Sequence, residues 1–215
     1  QRQMCIRDRS KIKSKEVRQK ELISATMRCI ARVGLSATTL QMVTREAGLS
    51  LGIANLHFQS KENLLRATLE SVMREYHSGQ FAILEDDIEH SPAARLARLL
   101  DFQFSASVTN REKMSVWFAY YGEASARPVY QKICASMDRL AANKLEQVLA
   151  ALISTGGYQD LDAGQLATGY LAMIDGLWLS LLVAPRSLTK KNAKHIAATY
   201  LVDAFPRHRE ELLGR

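Results

Sequence analysis

Only four prolines punctuate the 215 residues, and no segment keeps the alternating apolar and polar period of a half-buried strand. Long stretches of Ala, Leu, Met, Glu, Lys and Gln run uninterrupted, so the sequence predicts an all-α fold. Cysteine is scarcer still. Cys5, Cys29 and Cys134 are odd in number and lack the spacing of metal ligands, which argues against a disulfide scaffold and for free thiols. The five histidines form no metal-spaced set, and neither a G-x-S-x-G elbow nor a phosphate-cradling glycine loop occurs. No catalytic residue, metal or cofactor is therefore expected. The most apolar stretch, Tyr170 to Ala184, falls short of a membrane span and contains Asp175. With no signal-peptide pattern either, the expected location is cytoplasmic.

What remains is ordinary globular material with an uneven charge. Hydrophobic residues make up 47% and charged residues 24%, enough for a sizeable core. Through Glu62 there are 12 Lys and Arg against 5 Asp and Glu, a net of +7, whereas the rest of the chain balances at 17 against 17. Basic side chains displace counterions along phosphates, so this first segment has the charge of a nucleic-acid-facing surface; a solvated basic tail is the plainer alternative. Some of the charge does belong to a tail. Arg2, Arg7 and Arg9 lie in the unpatterned opening QRQMCIRDRS, and residues 1–13 are read as a disordered or artefactual tail. Without the first ten residues the head is still net +5.

Thr38 to Lys61 carries the densest set of helix signals. Thr38 and Gln41 have capping-box spacing, Leu40, Val43 and Ala47 share a face, and Gly48 can take the left-handed conformation of a sharp corner. Ser50 caps a second short helix, and Phe58-Gln59-Ser60-Lys61 opens a third. Two short helices about such a turn form a helix-turn-helix whose second helix can enter a major groove. Ala47-Gly48-Leu49-Ser50-x-Gly52, followed by His57-Phe58-x-Ser60-Lys61-Glu62-x-Leu64-Leu65, resembles the signature of the TetR family of one-component repressors.

The expected organisation is a helix-turn-helix DNA-binding domain over 14–60 and a ligand-binding and dimerisation domain over 61–215. About nine helices are expected: one from near Ser14 to Val33 with Leu22, Thr26, Cys29, Ile30 and Val33 as its inner stripe, the two of the motif, then Lys61 towards Glu85, Pro92 to about Val108 behind a Ser91 cap, Glu112 to Glu123, and Pro128 to Gly156. The eighth is capped by Asp162 and the ninth by Thr189. Pro206 is followed by a charged tail.

For the head, Lys15 and Arg18 can face the phosphate backbone, together with Thr39, Ser50, His57 and Lys61 at helix ends. Gly52 admits close backbone approach to DNA. Asn55 either reads an adenine or holds a phosphate. His57 has an equal alternative as a packed core histidine, and Leu56 and Phe58 are read as core.

In the body, Trp117, Tyr120 and Tyr121 stand at i, i+3 and i+4, and Asp175 and Trp178 at i and i+3, so each set shares a helix face. Rings beside a carboxylate suit a small organic cation, above all a quaternary ammonium. The plainer account is a packed aromatic cluster with Asp175 paired to a buried Arg or amide. VWFAYYGEASARPVYQKI and LAMIDGLWLSLLV resemble the body of the BetI-type branch of the TetR family, which implies a choline-responsive repressor of choline-to-betaine genes; that branch carries a second Trp where this chain has Tyr121. Gly169, Ala172 and Gly176 thin one late helix, and Leu181, Ile196 and Tyr200 add apolar area. These six are the expected interface of a two-fold homodimer, the alternative being that the last helices close the subunit's own core.

The resulting reading is a ligand-responsive repressor, released from a palindromic double-stranded operator by a small-molecule effector. The alternatives are a regulator responding to a neutral or aromatic ligand, and an enzyme or ligand carrier using the aromatic pocket.

Overall fold

The computed structural model describes residues 15–88, 90–124 and 127–214; the expected tail, with Cys5, lies outside them. All regular structure among the described residues is helical. The chain divides into two compact units, residues 1–68 and 69–215, with the division inside one helix and eight residues beyond the expected boundary at 60.

The first unit holds α1 (Lys15–Val33), α2 (Leu40–Ala47), α3 (Leu51–Phe58) and the start of α4 (Lys61–Leu84). Leu22, Ala25 and Cys29 of α1 meet Val43 of α2, Ala54 and Phe58 of α3 and Leu64 of α4 in one buried cluster. Each of those buried side chains contributes about 1.5–3 kcal/mol if fully apolar and large, less for alanine, so this small core is enough to hold α2 and α3, two short helices that would not persist alone. The corner between α2 and α3 is a Schellman motif. Gly48, at φ 65°, donates its N–H to Arg45, and Leu49 donates to the Thr44 carbonyl at 2.9 Å.

Three local expectations change. Thr39, not Thr38, caps α2, its hydroxyl accepting from Met42 N–H at 3.2 Å. Thr38 is buried, and its hydroxyl donates to the Gly34 carbonyl at 2.7 Å, which ties down the turn after α1. Leu56 is not core: it is 73% exposed, while Phe58 is buried. Val33, placed on the inner stripe of α1, is exposed where the helix ends.

The second unit contains the rest of α4, then α5 (Pro92–Gln103), α6 (Arg111–Ala124), α7 (Pro128–Gly156), α8 (Ala163–Val183), α9 (Lys190–Ala204) and a short α10 (Arg209–Leu212) after a 3-10 turn at Pro206–His208. Ser91, Asp162 and Thr189 cap α5, α8 and α9 as their spacing predicts. The charged end is not wholly a tail, because Leu212 of α10 is buried against the body. Helix α5 stops at Gln103 rather than near Val108, and Thr109 closes the connection by donating to the Ser105 carbonyl at 2.8 Å. At 21 residues, with a mean hydropathy of 1.6 over 18 of them, α8 does reach the length and composition of a membrane span, correcting the shorter apolar stretch read from the sequence. Its Ala167, Tyr170, Ile174, Trp178 and Leu181 are instead buried within the body.

Candidate functional site

The body holds an aromatic and acidic cavity of about 130 Å³, partly open to solvent. That is several times the roughly 10–15 Å³ one water needs, so a small organic molecule fits. Helix α4 supplies Tyr76, His77 and Gln80, α6 supplies Trp117 and Tyr121, α7 supplies Asp138 and Ala141, and α8 supplies Leu171, Ile174 and Asp175. Four helices thus each place a chemically active side chain on one space. Tyr76 and Trp117 also wall a narrower apolar cavity, about 40 Å³, whose lining includes Phe102, Met114 and Trp178.

The rings are braced against one another. Trp117 meets Tyr76 edge to face at 5.3 Å and Trp178 at 5.8 Å, and Tyr121 lies 5.7 Å from Trp117. Trp178 in turn meets Tyr76 at 5.2 Å. Such pairs add about 0.5–1.5 kcal/mol beyond area burial and fix ring direction. Fully buried Gln103 is the polar clamp behind them. Its amide N–H donates to the Tyr76 hydroxyl at 3.0 Å, its side-chain oxygen accepts from Tyr170 at 2.5 Å, and its backbone carbonyl accepts from the Trp178 indole at 3.1 Å.

Two carboxylates share the cavity. Burial, reinforced by the neighbouring charge of Asp138, pushes Asp175 up to about 7. Burial also raises Asp138, opposed by the hydrogen bond it accepts from Tyr121 at 3.1 Å. Burial depresses His77 below its ordinary value, so the imidazole stays neutral. Its Nε2 lies 3.8 Å from Asp138, within ion-pairing range, yet too far for a hydrogen bond and on a ring that carries no charge. The cavity is therefore poor in positive charge and short of partners: Trp117 Nε1, His77 Nε2 and Gln80 Nε2 are all buried without a hydrogen-bond partner.

Of the five side chains expected at an effector site, the structure brings Trp117, Tyr121 and Asp175 onto the larger cavity and Trp178 onto the narrower one behind it. Tyr120 is set apart. It is fully buried and packs edge to face on Tyr130 at 4.8 Å, because the i+3 position points to α7 rather than to the cavity. Tyr76, His77, Gln80, Gln103 and Asp138 were missed. A signal for Asp138 exists, since Cys134, Asp138, Ala141 and Leu145 follow i, i+4, i+7, i+11 and place a carboxylate on an apolar stripe.

In the head, Thr39 and Ser50 are exposed caps, Ser50 accepting from Ile53 N–H at 3.3 Å. Gly52 and Asn55 are exposed on α3, as is Lys15 on α1. A Cβ at Gly52 would meet only Ser50 Oγ, at 3.8 Å, so nothing inside the head requires glycine there. Arg18, expected to be free, is paired with Glu21 at 3.2 Å. Lys61 donates to the Ser36 carbonyl at 3.2 Å. His57 is half-buried, with its Nδ1 buried and without a partner. Arg28 and Arg32 bond Glu46 at 2.7 and 3.0 Å and hold it below the usual carboxylate range, so part of the positive charge is structural.

Among the expected interface residues, Ala172 and Gly176 are exposed on α8, and Ile196 is 45% exposed on α9. Nothing lies within 4 Å of a Cβ built on Gly176. Gly169 serves the subunit itself, since a Cβ there would stand 2.6 Å from the hydroxyl of half-buried Tyr200. Leu181 is corrected: it is 8% exposed and faces the subunit's own core.

A helix-turn-helix unit followed by a helical body is the architecture of a DNA-binding regulator. Residues 22–68 match the model for bacterial regulatory proteins of the tetR family, and residues 92–206 match that for the BetI-type transcriptional repressor C-terminal domain. The chain belongs to the TetR family and carries a BetI-type C-terminal domain. It is 32% identical over 195 residues to the HTH-type transcriptional regulator BetI 2 of Chromohalobacter salexigens, covering 89% of this chain and 90% of that one. The BetI regulator of Vibrio parahaemolyticus is 28% identical, with 89% and 94% covered. Among solved structures, a transcriptional regulator of Pseudomonas aeruginosa superposes with TM-score 0.78 at 23% identity over 94% of this chain and 96% of its own. One from Saccharomonospora viridis, crystallised in complex with choline, gives 0.76 at 23% identity over 87% and 96%. These relatives are regulators, and the chain is a DNA-binding transcriptional regulator rather than an enzyme.

Proposed function

We propose that the protein is a cytoplasmic, homodimeric repressor that leaves a palindromic operator when a small organic cation, choline or a related quaternary ammonium, enters the body cavity. One observation carries the effector assignment: Tyr76, Trp117 and Tyr121 wall the same cavity that holds Asp138 and Asp175. Ring faces attract a quaternary ammonium without hydrogen bonds, and two carboxylates supply the countercharge. The choline bound by the Saccharomonospora viridis regulator supports the same reading. On the DNA side, the proposed contacts are Lys15, Arg18, Thr39, Ser50, Gly52, Asn55, His57 and Lys61, with Arg18 exchanging Glu21 for phosphate. The proposed dimer face is Ala172 and Gly176 of α8 with Ile196 of α9, continued by exposed Leu179 and Val183.

The effector acts only through unequal affinity for the DNA-competent and released states, a coupling of about 1–3 kcal/mol in typical cases. Helix α4 supplies Tyr76, His77 and Gln80 to the cavity and begins at Lys61, so one continuous element belongs to both functions. The test is selection of bound duplexes from a random pool, followed by mobility shift with and without choline. A palindrome released by choline is expected. An unsymmetrical half-site bound by monomer defeats the dimer, and indifference to millimolar choline defeats the effector.

A further inference from the structure

We infer that His77, Gln80 and the Trp117 indole form a hydroxyl-recognition subsite, so that the regulator selects a quaternary ammonium alcohol over both its alkyl and its carboxylate counterparts. The inference rests on the cation reading above and assigns residues to the other end of that ligand.

His77 is 2% exposed and Gln80 fully buried, and both border the cavity. The His77 Nδ1 lies 3.2 Å from the Gln80 side-chain oxygen. With the Gln80 oxygen facing Nδ1, the ring proton is assigned to Nδ1, and Nε2 presents a lone pair 3.8 Å from Asp138. That lone pair has no donor, while the Gln80 amide N–H and the Trp117 indole N–H have no acceptor. Unpaired buried groups of both kinds on residues lining one ligand-sized space are costly unless something pairs with them. An alcohol oxygen supplies both functions at once: its O–H donates to His77 Nε2, and its lone pairs accept from Gln80 or Trp117. An alkyl group satisfies neither. A carboxylate accepts but cannot donate, and it brings an anion into a cavity already holding Asp138 and Asp175.

Titration calorimetry of choline, propyltrimethylammonium and glycine betaine against the full-length protein tests this. Choline is expected to bind about tenfold or more tightly than the alkyl analogue, and betaine more weakly than either. In His77→Phe and Gln80→Met, which retain volume, the ratio of choline to alkyl affinity should fall towards one; because it is a ratio within each variant, a general loss of affinity does not mimic it, and circular dichroism checks folding. Equal binding of choline and the alkyl cation by wild type overturns the subsite and leaves the cation reading standing. An unchanged ratio in both variants overturns the assignment to these residues. Binding of none of the three overturns both readings.

Discussion

Trp117 and Trp178 meet edge to face, ring centroids 5.8 Å apart and planes at 87°, yet only one indole has a hydrogen-bond partner. Trp178 donates to the Gln103 carbonyl, whereas the Trp117 N–H is buried and unpaired. The first is held by the fold, and the second is available to a ligand.

That difference separates two variants. Trp178→Phe keeps a ring in place but strips the buried Gln103 carbonyl of its donor, and should cost about 1–3 kcal/mol of unfolding free energy in urea titrations. Trp117→Phe breaks no hydrogen bond and should cost less stability while weakening the effector more. Equal losses of stability would contradict the distinction.

Asp175 predicts a pH dependence. Its folded value of about 7 stands above the ordinary carboxylate value of roughly 4, so between these limits the folded state binds more protons than the unfolded chain. Stability from this group therefore falls as pH rises from about 4 to 7 and is flat above. Asp138, also raised, adds in the same direction, while depressed His77 acts oppositely. The clean comparison is wild type against Asp175→Asn. Wild type should lose stability relative to the variant between pH 5 and pH 8, measured by urea midpoints. A bound cation favours the ionised form, so wild-type affinity for it should rise over the same interval with release of protons.

Lys61→Ala should weaken binding to all DNA sequences alike and lower the slope of log affinity against log salt by about one. Its exposed bond to the Ser36 carbonyl should make the stability loss no more than about 1 kcal/mol. Asn55→Ala should alter base preference if the amide reads a base, and only affinity if it holds a phosphate. An unchanged salt slope removes Lys61 from the phosphate contacts.

Gly176→Glu probes the dimer face. The space around Gly176 is open in the single subunit, so the substitution should leave helicity and melting of the subunit intact while placing a charge on an apolar face. Sedimentation equilibrium should show monomers and mobility shift a weakened operator complex. A dimer of wild-type affinity would exclude this face.

Most helix limits were legible because caps act within a few residues: Ser50, Ser91, Asp162 and Thr189 each sit where their spacing predicts, each accepting from the amide three residues further on. The site was legible only in part. Helical spacing put Trp117 beside Tyr121 and Asp175 beside Trp178, but which helices face one another depends on long-range packing. Thus Tyr120 could not be separated from Trp117 by periodicity, and Tyr76, His77 and Gln80 lay on a helix whose inner face looks like ordinary core. Leu181 was misplaced for the same reason. An apolar helix seen alone does not say which side its own subunit covers.

The central claim is that the cavity recognises positive charge. Choline and its neutral isostere 3,3-dimethylbutanol have the same shape, so titration calorimetry of both at pH 8 isolates the charge. The account predicts clearly tighter binding of choline, with the preference reduced in Asp175→Asn; equal affinity for the two by wild type would contradict it.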